Sequence, residues 1–219
     1  EVRACTRIKH PSLVELHDVD VTDGVVPFVV MELLEAEKLE CLLGREGSLP
    51  PGTALRIVSA LASSLVEAHE RGLSHQRIEP ANVLLHVDPR EGVVPKLVDF
   101  AIARLVARGA PYGAGAPYDA MSPLAYLAPE QIQGDVPADE QADVYALGAL
   151  LHRCLVGRDP WEGHTPRRIL EQIDEGCQLE MYEPGLDARI IHLVEDCLRR
   201  NRRLRPTARV LVERCAELM

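Results

Sequence analysis

Apolar and polar positions alternate with the period of a strand in the first part of the chain. Residues Leu13 to Val21 alternate, and Val25 to Met31 form a nearly continuous apolar run. The dipeptide Asp23-Gly24 between them is typical of a tight hairpin turn. The pattern therefore predicts two antiparallel strands, preceded by the end of a helix over residues 1–9.

The period changes to that of a helix after Pro50-Pro51. Over about residues 53–71, apolar side chains recur on one stripe, and Gly72 is placed to end the helix. The stripe consists of Leu55, Val58, Leu61, Ala62, Leu65, Val66 and His69. A short strand pair is predicted next, over 83–87 and 95–98.

The last 80 or so residues are predicted to be almost entirely helical. The predicted helices cover residues 138–156, 165–175, 187–199 and 207–218, and a loop rich in Gly, Pro and Ala spans 107–122. Thr165 and Thr207 are suitable N-caps for two of these helices. The fold class predicted from these patterns is α+β, with a small two-stranded cap and a mainly helical body.

Charge and composition narrow the classes of function. The net charge of −10 argues against nucleic-acid binding, because phosphate recognition needs a basic surface. No apolar run approaches 18 residues, so we expect no membrane contact by this segment. None of the six cysteines forms a Cys-x-x-Cys pair, which favours reduced thiols and a cytoplasmic location.

The most informative stretch runs from Leu73 to Leu85 and reads Leu-Ser-His-Gln-Arg-Ile-Glu-Pro-Ala-Asn-Val-Leu-Leu. It resembles the catalytic loop of protein kinases, whose pattern is His-Arg-Asp-x-Lys-Pro-x-Asn. His75, Pro80 and Asn82 match that pattern in spacing. The same loop departs from the pattern at the Arg, Asp and Lys positions, which are occupied here by Gln76, Arg77 and Glu79.

Other segments carry the same resemblance in the same order. They are Val29 to Leu34, which resembles the hinge with Met31 as gatekeeper, Asp99-Phe100-Ala101, Ala128-Pro129-Glu130, Asp143 to Gly148, and Arg205-Pro206-Thr207. The chain as a whole is similar to a kinase domain of the bacterial eukaryotic-like serine/threonine type that lacks the first three strands. By this resemblance, residues 1–31 are a remnant of the N-lobe, 32–36 the hinge and 37–219 the helical C-lobe.

The resemblance implies where ligands would bind. Asn82 and Asp99 correspond to the two magnesium-holding side chains, although hydrogen bonds to local backbone would also explain their presence. The nucleotide-contacting positions would be Met31, Glu32, Leu34, Leu84 and Val98. We assign no cofactor firmly; ATP and Mg²⁺ are the candidate ligands, and weak binding is expected.

The departures in the loop remove the groups that carry phosphotransfer. Arg77 stands where the proton-accepting Asp would be, and a guanidinium has no acceptor capacity. Glu79 stands where a Lys would contact phosphate, and a carboxylate repels that group. The structural alternative is that Arg77 and Glu79 pair with each other. The segment from Asp99 to Glu130 also contains no Thr.

Two functions follow from these observations, and the question of enzyme activity stays open between them. The first is a pseudokinase that acts as a regulatory or binding module without phosphotransfer. The alternative is a serine/threonine kinase whose nucleotide-binding strands lie upstream. The expected partner is another protein or an N-lobe segment absent from the chain, and self-association through strand 25–31 is also expected. The motifs further predict a Glu130–Arg205 ion pair and hydrogen bonds from the loop near His75 to Asp143.

Overall fold

The computed structural model describes residues 7–22, 26–100, 124–134, 139–163, 165–177, 179–182 and 185–219. The predicted hairpin turn at Asp23-Gly24, the loop over 107–122 and most of the predicted first helix lie outside these ranges. Residues 7–9 of that helix are described, and they are not helical. His10 is not helical either, as expected because a residue before proline disfavours the helical region.

The strands form two small antiparallel sheets. They are β1 (Leu16–Thr22), β2 (Val26–Met31), β3 (Ala36–Lys38), β4 (Val83–Asp88) and β5 (Gly92–Leu97). The first sheet pairs β1 with β2, and the second has the order β3-β4-β5. The predicted strand pairs are confirmed, with ends shifted by a few residues. Strand β3 was not predicted, because its sequence Ala-Glu-Lys has no apolar pattern and it pairs with distant β4.

Eight helices are described, and the long ones match the predicted segments. They are α1 (Leu39–Glu46), α2 (Pro51–Glu70), α3 (Pro129–Gln133), α4 (Glu140–Val156), α5 (Pro166–Glu175), α6 (Leu179–Tyr182), α7 (Ala188–Cys197) and α8 (Ala208–Leu218). Thr165 and Thr207 cap α5 and α8 as predicted, each accepting from a backbone N–H three residues on. None of the described helices is both long and apolar enough to cross a lipid bilayer.

The core of the helical body lies around α4, which is buried along almost its whole length. Helices α2 and α7 pack against it, and α8 packs against α2. Trp161 is buried here, and its indole N–H donates to the Tyr145 hydroxyl at 2.7 Å. This rigid body supports the loop that follows α2.

Gly148 marks the closest approach between α4 and α7. A Cβ atom at this position would lie 2.5 Å from Cβ of Cys197, which is far inside van der Waals contact. The Gly148→Ala variant must therefore push the two helices apart. We expect a loss of about 2–3 kcal/mol in the free energy of unfolding, measured by urea denaturation.

Gly44 in α1 provides a matched control for this substitution. A Cβ atom at Gly44 would meet no heavy atom within 4 Å. Gly44→Ala should therefore stabilise the protein by up to about 1 kcal/mol through helix propensity alone. Equal effects of the two substitutions would contradict the close packing of α4 on α7.

Candidate active site

The loop after α2 is held in place by a buried carboxylate of α4. The Asp143 side chain accepts the backbone N–H of His75 at 2.8 Å and that of Gln76 at 2.7 Å. This confirms the predicted contact between Asp143 and the loop. Gln76 adopts a left-handed conformation with φ of 66°, which a non-glycine residue rarely does. The two hydrogen bonds to Asp143 stabilise this uncommon backbone geometry.

His75 connects the loop to the end of β5. Its Nδ1 accepts the backbone N–H of Arg77 at 3.2 Å, so Nε2 carries the proton and donates to the Val98 carbonyl at 2.8 Å. The ring also packs edge-to-face on Phe100, with 5.3 Å between ring centroids. Burial lowers the pKa of His75, and the Asp143 carboxylate opposes this only in part. The neutral ring is therefore the form that matches these contacts.

Asn82 and Asp99, the predicted magnesium ligands, are positioned through Val98. The Val98 N–H donates to the Asn82 carbonyl at 3.0 Å, while its own carbonyl accepts from His75. Asp99 follows directly and has a φ of 62°, again in the left-handed region. These backbone hydrogen bonds fix the position of the Asp99 backbone relative to Asn82.

The Asn82 amide is already engaged on its nitrogen. Nδ2 donates to the Arg77 carbonyl at 3.0 Å and to Glu79 Oε1 at 3.3 Å, so Oδ1 is the atom of this amide that could bind a cation. An amide and a carboxylate oxygen suit Mg²⁺ chemically. The described residues contain no group of three or more His, Cys, Asp or Glu side chains that could hold a metal ion. Asn82 and Asp99 therefore fit Mg²⁺ only as an ion that takes most of its ligands from water or phosphate.

Arg77 and Glu79 lie within ion-pair distance of each other. Arg77 Nε is 3.8 Å from Glu79 Oε1, and the Glu79 carboxylate is almost fully buried. Glu79 Oε1 also accepts from Asn82. The pairing that the sequence offered as the structural alternative is therefore present, and it places a buried negative charge beside Asn82.

The loop is also connected to α3 and to the end of the chain. Gln131 in α3 donates to the Gln76 carbonyl at 3.0 Å. One residue earlier, Glu130 forms the predicted ion pair with Arg205. Arg205 Nη1 donates to Glu130 Oε1 at 2.7 Å, and Nη2 donates to Oε2 at 2.9 Å. The segment that carries Ala128-Pro129-Glu130 is thus fixed both to the loop and to the region before α8.

The five predicted nucleotide-contacting residues lie on or next to three strands, and all are partly exposed. Glu32 differs from the others because its side chain is already engaged. Its carboxylate accepts from Lys96 Nζ at 2.7 Å and from the Glu15 N–H at 2.9 Å, and its own N–H donates to the Glu15 carbonyl. The backbone carbonyl and Oε2 of Glu32 accept neither of these hydrogen bonds.

Sequence reasoning missed three of the residues that hold this site together. His69 was assigned to the apolar stripe of α2, yet its Nε2 lies 2.9 Å from Asp143 Oδ2. A lone histidine on an otherwise apolar stripe was the available signal. Lys96 and Gln131 gave no signal, because their partners Glu32 and Gln76 are 64 and 55 residues away in the chain.

Curated relatives of this chain are bacterial kinases. It is 36% identical over 172 residues to the serine/threonine-protein kinase Pkn2 of Myxococcus xanthus, and 36% identical over 172 residues to PknL of Mycobacterium tuberculosis. Each match covers 78% of this chain, but only 20% of Pkn2 and 41% of PknL. PknB of Mycobacterium leprae is 30% identical over 175 residues, with 27% of its length covered. The chain thus spans less than half the length of these relatives.

The fold also matches that of a solved structure. A crystal structure of Rad53 residues 1–466 in complex with AMP-PNP superposes with a TM-score of 0.74, over 96% of this chain and 52% of that one, at 22% identity. This likeness concerns the fold alone. The family model described as protein kinase domain matches residues 1–215, nearly the whole chain. The chain therefore belongs to the protein kinase domain family.

Proposed function

We propose that this domain is a pseudokinase, a regulatory or binding module that does not transfer phosphate. In an active kinase the loop residue that meets the substrate hydroxyl must accept its proton. Arg77 occupies that position by the spacing of His75, Pro80 and Asn82, and it is a permanent cation without an acceptor. The domain would keep the kinase fold and use its surface for binding.

The observation that carries this proposal is the Arg77–Glu79 pair beside Asn82. With 3.8 Å between Arg77 Nε and Glu79 Oε1, each side chain offsets the charge of the other. By the spacing of the loop, Glu79 occupies the position where an active kinase has a Lys that contacts the transferring phosphoryl group, and a buried carboxylate opposes that group. The same side chain also binds the Asn82 amide. Arg77 and Glu79 each oppose phosphotransfer, and each stabilises the charge of the other.

A second candidate is an active serine/threonine kinase. Its support is the similarity to bacterial serine/threonine kinases and the presence of Asn82 and Asp99, which suit a magnesium ion. In this case the base would have to come from another residue. Nucleotide binding by itself does not separate the two candidates, because a pseudokinase can also bind ATP.

Phosphate incorporation into a substrate distinguishes the pseudokinase from the active kinase. The purified protein is incubated with radiolabelled ATP, Mg²⁺ or Mn²⁺ and generic protein substrates. We expect no incorporation above that of a mock-purified sample and of the Asp99→Ala variant. Incorporation by the wild-type protein that Asp99→Ala abolishes would establish the kinase instead.

For partners, we propose that the edge of β2, together with the exposed face beside it, is a contact surface, used for self-association or for a partner segment that supplies a further strand. Phe28 and Val30 lie two residues apart on this face and are 39% and 43% exposed. The β1–β2 sheet has only two strands among the described residues, and such a pair is marginally stable in water by itself.

Hydrogen exchange tests this surface. In a dilute monomeric sample, the amides of residues 28–31 should exchange much faster than those of α2 and α4, because the two-stranded sheet opens locally. Their exchange should slow when the protein concentration is raised or a partner is added. Slow exchange at residues 28–31 in the dilute monomer would contradict the proposal.

A further inference from the structure

Seven arginines lie close together in the chain, between the end of α7 and the middle of α8. Residues 199–214 contain these seven arginines and a single acidic residue, Glu213, so the segment has a formal charge of +6. The whole chain carries −10, and the rest of it therefore carries −16. A positive region on a strongly negative protein is a defined target for an acidic partner, which the rest of the surface repels on average.

Four of the seven arginines each have a carboxylate of their own. The pairs are Arg200–Asp174, Arg202–Asp139, Arg205–Glu130 and Arg209–Glu70. The other three, Arg199, Arg203 and Arg214, have one carboxylate between them, that of Asp196. Arg203 is exposed and forms no ion pair with any residue in the described part of the chain. These four side chains together keep a net charge of +2.

Asp196 is shared by two guanidinium groups. Arg199 donates from Nε and Nη2 to Asp196 Oδ1 at 3.1 and 2.9 Å, and Arg214 donates from Nη1 to Oδ2 at 2.8 Å. Partial burial opposes ionisation of Asp196, but the hydrogen bonds from Arg214 and Arg199 outweigh it and lower its pKa. Among the described residues, Nε and Nη2 of Arg214 and Nη1 of Arg199 have no acceptor, so these N–H groups remain available to a ligand.

The shared carboxylate and both of its arginines line a cavity of about 510 Å³. Leu204 and Pro206 line the same cavity, and Leu204 is 59% exposed. Arg205 is also part of the wall, but its guanidinium is buried against Glu130. The cavity therefore offers available guanidinium N–H groups beside an exposed apolar side chain.

We propose that this cavity binds an acidic segment of a partner protein, with an Asp or Glu carboxylate between Arg199 and Arg214 and an apolar side chain on Leu204. The planar N–H groups of a guanidinium match a carboxylate. Because Asp196 stays charged beside the ligand, a singly charged carboxylate suits the site better than a doubly charged phosphate. A second acidic side chain pairs with Arg203. The inference rests on the proposed role of the domain as a binding module and names the class of partner.

Fluorescence anisotropy with the 219-residue protein tests the proposal. The probe is a labelled ten-residue peptide with two glutamates and one leucine, separated by single residues, in a Ser/Gly background. A matched peptide replaces both glutamates with arginines. We expect the glutamate peptide to bind at least tenfold more tightly than the arginine peptide. The net charge of −10 by itself predicts the opposite order, so this result requires a local basic site.

Two pairs of variants locate the site. Arg214→Gln should weaken the glutamate peptide at least fivefold, with Asp196 still paired to Arg199. Arg45→Gln removes the same charge from an exposed ion pair on α1 and should change the affinity less than twofold. Leu204→Glu should weaken the peptide at least tenfold. Val87→Glu, at a position on β4 that is 67% exposed, should again have an effect below twofold.

Several results would overturn the proposal: equal affinities for the two peptides, tighter binding of the arginine peptide, or an unchanged affinity in Arg214→Gln or Leu204→Glu. Equal effects of each variant and its control would do so as well, because only the overall charge would then matter. A dimer of the protein alone that Leu204→Glu dissociates would identify a second copy as the occupant instead. Phosphate transfer by a protein that binds the glutamate peptide would overturn only the proposed function, whereas a protein that neither binds the peptide nor transfers phosphate would overturn only this site.

Discussion

Replacing Arg205 with alanine should lower the free energy of unfolding by about 3–5 kcal/mol. Its guanidinium is fully buried and binds both carboxylate oxygens of Glu130. It also donates to three backbone carbonyls and lies 4.9 Å from the centre of the Tyr145 ring. The truncation would leave a buried carboxylate without its cation, and losses of this size consume much of the stability of a typical domain. Urea denaturation measures the effect.

Arg209 offers the matched control. It pairs with Glu70 at 2.5 Å, but both side chains are more than 60% exposed. Arg209→Ala should therefore cost less than about 1 kcal/mol. The double variant Arg205→Ala with Glu130→Gln should be less destabilised than the sum of its single variants, because the buried negative charge is gone. An Arg205→Ala loss no larger than that of Arg209→Ala would contradict the buried pair.

Asp143→Asn should be the second most destabilising substitution and should lower the free energy of unfolding by about 3 kcal/mol. The carboxylate is fully buried and accepts from the backbone N–H groups of His75 and Gln76 and lies within hydrogen-bond distance of His69. An amide presents an NH₂ group to at least one of these donors, so a hydrogen bond is lost and two donors face each other. Hydrogen bonds to a buried charged group contribute about 1.5–3 kcal/mol each.

A local readout separates this effect from general destabilisation. In Asp143→Asn the amide protons of His75 and Gln76 should exchange faster than those of α8, since the loop loses its anchor. Asp174→Asn is the control, because Asp174 is exposed and pairs with Arg200 at the surface. This substitution should lower the free energy of unfolding by less than about 1 kcal/mol. Unchanged protection of the loop amides in Asp143→Asn would contradict the anchoring role.

The long elements could be predicted from the sequence because their patterns are local. The stripe of α2 and the alternation in β1 follow from burial of one face, and Thr165 and Thr207 cap their helices by contacts within three residues. Strand β3 could not be predicted in this way. It forms because β4, almost 50 residues later, offers it an edge, and no pattern within Ala-Glu-Lys indicates that.

The residues of the candidate site could be identified from the sequence, but their spatial arrangement could not. The spacing of His75, Asn82 and Asp99 marked the loop, and opposite charges made the pair of Arg77 and Glu79 conceivable. Their positions depend on two left-handed residues, at 76 and 99. At Gln76 the φ value is stabilised by a hydrogen bond to Asp143, which is 67 residues away in the chain. Such tertiary constraints are not encoded in a short sequence window.

The measurement that tests the central claim most directly is the rate of γ-phosphate transfer with the protein in excess over ATP. The wild-type protein is compared with Asp99→Ala and with the double variant Arg77→Asp, Glu79→Lys. The proposed function predicts that wild type transfers no faster than Asp99→Ala, and that any increase appears only in the double variant, where a proton acceptor and a cation are restored. Transfer by the wild-type protein that is lost in Asp99→Ala or in the double variant would contradict it.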